Sequence, residues 1–223
     1  MSSSSPEDLR KWRLPRGRHG LPRELVTRSQ RERLLAAVVR VTAAKGYEAT
    51  TVADILEEAG VGRESFYELF DDKRDCMLAA HAILVENLEG KVRAAYAEPG
   101  PWVDRIRDAL GAALDWFAAD PAAARFTLVE LAAVGPVSRA RFQAAFGSFV
   151  ELLDEGLDDG PGPELPRATT LAVSATLARV YEEVVLGRSA DLPSLLPDLT
   201  YELLVPFLGE EAARTEQRRA AAG

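Results

Sequence analysis

Apolar residues recur through this chain at helical spacing, and prolines and glycines cut the pattern into separate helical pieces. Leu34, Val38 and Val41 fall at i, i+4 and i+7, flanked by Leu35 and Val39. Val52, Ile55, Leu56 and Ala59 form a second stripe, and Phe66, Leu69 and Phe70 a third. Such stripes bury one face of a helix. No alternating apolar stretch of strand length interrupts them. The apolar surplus is Ala and Leu rather than Val and Ile, which also favours helix. These features predict an all-α chain, with an N-terminal three-helix unit carrying a helix-turn-helix followed by a larger helical bundle.

Punctuation places the boundaries. Residues 1–26 hold three prolines and two glycines with little periodicity and read as a flexible basic arm. A first helix starts at Thr27 or Ser29 and ends at Gly46. Thr51 caps a second helix with Asp54 three residues on, a capping-box spacing, and Ala59-Gly60-Val61-Gly62 breaks it after about two turns. A third helix runs from Arg63 to Phe70, and Asp71 or Asp72 caps a long fourth through Lys73 to Tyr96. Residues 27–75 thus read as the helix-turn-helix domain and 76–208 as a larger helical bundle. Residues 209–223 read as a charged, fraying tail.

Charge separates along the chain. The net charge is −8. Residues 10–33 nevertheless carry nine bases against two acids, a net +7, and residues 76–223 thirteen bases against twenty-two acids, a net −9. One end can attract phosphate while the rest repels it. A single cysteine, Cys76, excludes an internal disulfide, and with only His19 and His81 a metal site is not expected. No nucleophile motif, phosphate loop or paired catalytic carboxylate stands out, so neither catalytic residues nor a cofactor are expected. Met1 is followed by Ser and charged residues, and no run of about 18 apolar residues appears, which points to a cytoplasmic protein without a membrane partner.

Two short helices joined by a glycine turn describe a helix-turn-helix whose second helix enters the DNA major groove. Burying Phe66, Leu69 and Phe70 leaves Arg63, Glu64, Ser65, Tyr67 and Glu68 outward or at the margins. The run TTVADILEEAGVGRESFYELFDDKRDCMLAA, residues 50–80, resembles the DNA-binding signature of the TetR family. Gly46-Tyr47, Thr51-Val52, Ala59-Gly60-Val61, Phe66-Tyr67, Phe70 and Lys73 carry the match. The preceding LPRGRHGLP is similar to arms of actinobacterial members.

The resemblance implies a homodimeric repressor on an inverted-repeat, double-stranded operator, released by a small lipophilic effector. It implies that Thr51 and Lys73 hold phosphates, that Arg63 reads base edges, and that Ser65 and Tyr67 touch backbone and neighbouring bases. Glu64 could accept from a cytosine amino group, and Arg16 and Arg18 of the arm could enter a minor groove. Three departures stand out. Gly62 replaces the usual Ser, Leu69 replaces a common His, and Glu64 and Glu68 bring negative charge to the DNA face.

For the bundle the resemblance implies a pocket, with Phe126, Glu130, Phe142 and Phe146 as candidates. It also implies a dimer through the last two long helices, with small residues Ala168, Ala172, Ala175 and Ala178 and an apolar seam of Leu196, Leu199 and Leu203. A helical small-molecule carrier or enzyme, and a DNA-binding activator without an effector, remain alternatives.

Overall fold

The computed structural model describes residues 22–130, 136–155 and 168–222, with the side chains of residues 136–145 outside the description. Every regular element among the described residues is helical. We number the α-helices α1 (Arg23–Lys45), α2 (Val52–Ala59), α3 (Arg63–Tyr67), α4 (Lys73–Tyr96) and α5 (Trp102–Ala119). They continue with α6 (Pro121–Leu128), α7 (Pro136–Glu155), α8 (Ala168–Val185), α9 (Leu196–Leu208) and α10 (Glu210–Ala222), with a 3-10 segment at Ser189–Leu195 before α9. The chain divides into two compact units between Ala80 and His81, inside α4 rather than at residue 75.

In the first unit, α2 and α3 both pack on α1. The core is Leu34, Ala37 and Val38 of α1 with Ile55, Phe66, Phe70, Cys76 and Met77. α1 begins four residues before Thr27. Its N-cap is Pro22, whose carbonyl accepts from Leu25 N (3.0 Å) and Val26 N (3.3 Å). A cap that works through its carbonyl carries none of the side-chain signal that Thr27 and Ser29 display. α3 is shorter than its apolar pattern, closing at Tyr67, while the amides of Leu69 and Phe70 still bond to Phe66 O. Asp72 caps α4, its Oδ1 accepting from Asp75 N at 2.7 Å.

In the second unit, α9 packs on α5, α8 and α10, and α8 also meets α6 and α7. Pro121 starts α6 under an Asp120 cap that accepts from the amides of Ala122 and Ala123. The expected fraying tail is instead the ordered helix α10. It folds back on α9 after Gly209 and buries Ala213 and Glu216. Arg107 of α5 meets Glu216 at 3.5 Å and Asp104 at 2.7 Å, an ion network that ties α10 to α5. Periodicity alone misses α10 because its buried residues, Ala213 and Glu216, include no large apolar side chain.

The residues expected to form a dimer seam are divided. Ala168, Ala172, Leu199 and Leu203 are buried within their own chain, because α8 and α9 turn those sides toward each other and the bundle core. Ala175 and Ala178 are exposed, together with Leu171 (62% exposed), Tyr181, Val185 and Leu186. Leu171, Ala175, Ala178 and Val185 recur at three-, four- and seven-residue steps and therefore share one face of α8.

Candidate nucleic-acid interface and effector cavity

The helix-turn-helix is braced by polar bonds from neighbouring elements. Thr51 Oγ1 accepts from Asp54 N (3.2 Å) while Asp54 Oδ2 accepts from Thr51 N (2.9 Å), a complete capping box. Lys45 Nζ donates to Asp54 Oδ1 at 2.6 Å. Lys45 first, and then the Thr51 bonds, hold the Asp54 carboxyl down at a pKa of about 2.

At the turn, Gly60 takes the left-handed conformation (φ 59°). The Arg33 guanidinium donates to the carbonyls of Ala59 and, at 2.7 Å, Gly60. A Cβ at Gly60 would stand 2.8 Å from that guanidinium, so glycine serves both the backbone angle and the close approach of Arg33. Arg33 counts only as arm charge in the sequence, and nothing local in the sequence shows that it bonds the turn.

α3 sits on Phe66, which is fully buried with its ring 5.3 Å from Tyr67 and 5.7 Å from Phe70. That anchor turns Arg63, Glu64 and Tyr67 (50% exposed) to solvent. Ser65 is half-buried, its Oγ accepting from Gln30 Nε2 at 3.3 Å. Glu68 lies 3.8 Å from Arg23, so part of its charge is offset by α1 rather than left wholly to the recognition face.

Lys73 does not stand free. Its ammonium donates to Tyr47 O (2.8 Å) and Thr50 O (2.7 Å) and lies 4.2 Å from the Tyr47 ring centre. Two of its three N–H groups thus fasten the start of α4 to the loop that presents Thr51. Burial pushes the Cys76 thiol up to about 12, which leaves it protonated in the core. Arg16 and Arg18 lie outside the described residues, as does the rest of the arm before Pro22.

The second unit holds an apolar cavity of about 140 Å³, far more than one water occupies. Residues of α4, α5, α6, α7, α8 and α9 line it. Phe146 is among them. Phe126 is buried elsewhere in the core, and Glu130 turns to Arg125 at 3.3 Å, so neither lines the cavity. The Phe142 side chain lies outside the described residues. His81, Glu89 and Thr127 line the cavity without having been candidates. Single polar residues on amphipathic helices give no sign of which of them meets a cavity.

The family model of bacterial regulatory proteins, tetR family, matches residues 34–80, the segment that holds the capping box, the Gly60 turn and α3. The likeness to the TetR family thus falls on the N-terminal unit. Among curated proteins the chain is 32% identical over 75 residues to an uncharacterized HTH-type transcriptional regulator, YezE, of Bacillus subtilis (strain 168). It is 38% identical over 52 residues to another uncharacterized HTH-type regulator of Lactococcus lactis subsp. lactis. The matched stretches span 39% and 26% of those relatives and 34% and 23% of this chain.

Among solved structures, the fatty acid degradation regulator FadR of Bacillus halodurans superposes with TM-score 0.68 at 23% identity, covering 80% of this chain and 95% of that one. FadR of Bacillus subtilis, in complex with stearoyl-CoA, gives TM-score 0.68 at 20% identity over 80% and 98%. These superpositions extend the shared fold beyond the N-terminal unit. Among the described residues, no helix is long and apolar enough to cross a membrane.

Proposed function

We propose that the chain is a homodimeric transcriptional repressor that binds an inverted-repeat operator and is released when a small lipophilic molecule fills the second unit's cavity. The observation that carries the DNA reading is α3 itself. Phe66 locks one side of the helix in the core, and Arg63, Glu64 and Tyr67 stand free on the other, as a helix entering a major groove requires. Arg63 reads a base edge, and Ser65 and Tyr67 contact backbone and adjacent bases. Thr51, at the N-terminus of α2, meets a phosphate. The remaining N–H of Lys73 reaches a phosphate while its other two hold the loop. Glu64 faces a cytosine amino group, and Arg16 and Arg18 follow the minor groove.

The exposed face of α8 (Leu171, Ala175, Ala178, Val185) supplies the dimer contact, because an apolar helix side left in solvent is covered most simply by its own copy. A dimer pairs two recognition helices with two half-sites about one helical turn apart. The lipid-like character of the effector is supported by the apolar cavity and by the shared fold of a regulator bound to stearoyl-CoA.

Selection from random DNA tests the proposal. The expected product is a palindrome, and Arg63→Ala should relax one position per half-site at a cost of about 1–3 kcal/mol. An unenriched pool, or a base profile unchanged by Arg63→Ala, would overturn it.

A further inference from the structure

The polar groups that line the cavity specify more than a lipophilic ligand. The wall is built from side chains such as Val85, Leu110, Phe117, Phe149, Val180 and Leu203. A wall of this kind favours a ligand body that gives up little hydration. Among the described lining residues there is no Lys or Arg, and the one charged side chain is the carboxylate of Glu89. An anionic head group entering here would lose its water and face a carboxylate, with His81 the one described lining side chain able to take up a positive charge.

Two of the lining polar side chains already have partners. Thr176 Oγ1 donates to Ala172 O at 3.0 Å, and Glu89 Oε1 accepts from Ser148 Oγ at 3.4 Å. Thr127 differs. It is 4% exposed, it lines the cavity from the end of α6, and its hydroxyl has no hydrogen-bond partner. A buried hydroxyl left unsatisfied is costly, and a ligand oxygen that pairs with it removes that cost on binding.

We propose that the cavity takes an uncharged, lipid-like molecule bearing one hydrogen-bonding oxygen, and that Thr127 is its polar contact. This rests on reading the cavity as the effector site and narrows the ligand to a class. Alcohols, ketones, esters and lactones with an aliphatic body fit. Free carboxylates do not. Glu89, half-exposed and already bonded to Ser148, repels anions.

Calorimetric titration of the full chain without DNA tests the assignment, with 1-octanol, octanoate, octyltrimethylammonium and n-butylbenzene as probes. Octanol is expected to bind at least about tenfold more tightly than octanoate, since burying a charge without a partner outweighs one hydrogen bond. Thr127→Val keeps the side-chain shape and should weaken octanol about threefold to tenfold while leaving butylbenzene unchanged. Glu89→Gln should narrow the gap between octanol and octanoate. Octanoate or octyltrimethylammonium binding as tightly as octanol would overturn the proposal, as would an unchanged octanol affinity in Thr127→Val. The wild-type charge series decides the matter even if Thr127→Val fails to fold. Binding is read on the free protein, so a failure of the repressor reading shows in the DNA selection and leaves this result standing. An operator complex dissolved only by the anion would sink this inference alone.

Discussion

The two units of this chain are built on opposite plans. In the first, polar bonds from side chain to backbone and between helices brace both ends of α2 and the start of α4. Lys73 holds the loop before α2, Arg33 holds the turn after it, and Arg40–Glu58 (2.7 Å) and Lys45–Asp54 (2.6 Å) tie α1 to α2. In the second, the centre of the bundle is apolar and leaves a cavity between six helices. A surface that reads a base sequence must hold its side chains to a fraction of an ångström, and directional bonds do that. A site that admits a lipophilic molecule needs apolar space, and close packing is given up there. Bracing belongs to the first unit and space to the second.

Truncating one aromatic residue in each unit is the most direct way to break this comparison. Phe66→Ala removes a fully buried ring from a close-packed core and should cost about 3–5 kcal/mol in urea unfolding. Phe146→Ala removes a ring that borders existing empty space, and the expected cost is well under half as large. Equal losses would show that the second unit is as tightly packed as the first.

Replacing Lys73 with Met separates bracing from phosphate contact. Removing the ammonium strips the Tyr47 and Thr50 carbonyls of a charged donor, so the free protein should lose about 1–3 kcal/mol of stability. A residue that served DNA alone would lower operator affinity and leave the unfolding midpoint of the free protein where it was. Thr51→Ala should cost about 1 kcal/mol through the cap. A cost near zero would mean that Asp54 holds the helix start unaided.

The smallest effect is one of pH. The folded-state pKa of Asp54 is depressed from 3.8 to about 2, so the native state favours the ionised carboxylate. The stability this contributes is fully present above the ordinary value and is lost as pH falls through about 2. The stability difference between wild type and Asp54→Asn should therefore shrink as the pH is lowered from 3.8 toward 2. A constant difference across that window would remove Asp54 from the brace. Because the group is exposed, raising the salt concentration should also shrink the effect.

The sequence by itself determined the helical class, the helix-turn-helix and the outward face of α3. Each of these rests on local physics: apolar spacing, a Thr51–Asp54 cap, a glycine turn, and an aromatic anchor at Phe66. It left open what distant residues do to one another. Arg33 is one charge among nine until the fold brings it to the Gly60 carbonyl, and Lys73 passes for a free cation until Tyr47 and Thr50 close around it. Phe126 and Phe146 look equivalent in an amphipathic pattern, yet only Phe146 meets the cavity, and Thr127 beside Phe126 carries no visible mark at all. Ala172 and Ala178 are likewise alike in sequence, and only packing decides that one is core and the other surface. The reason is geometric. A helix repeats its faces every few residues, but which neighbour each face meets depends on crossing angles and connections that span the whole chain.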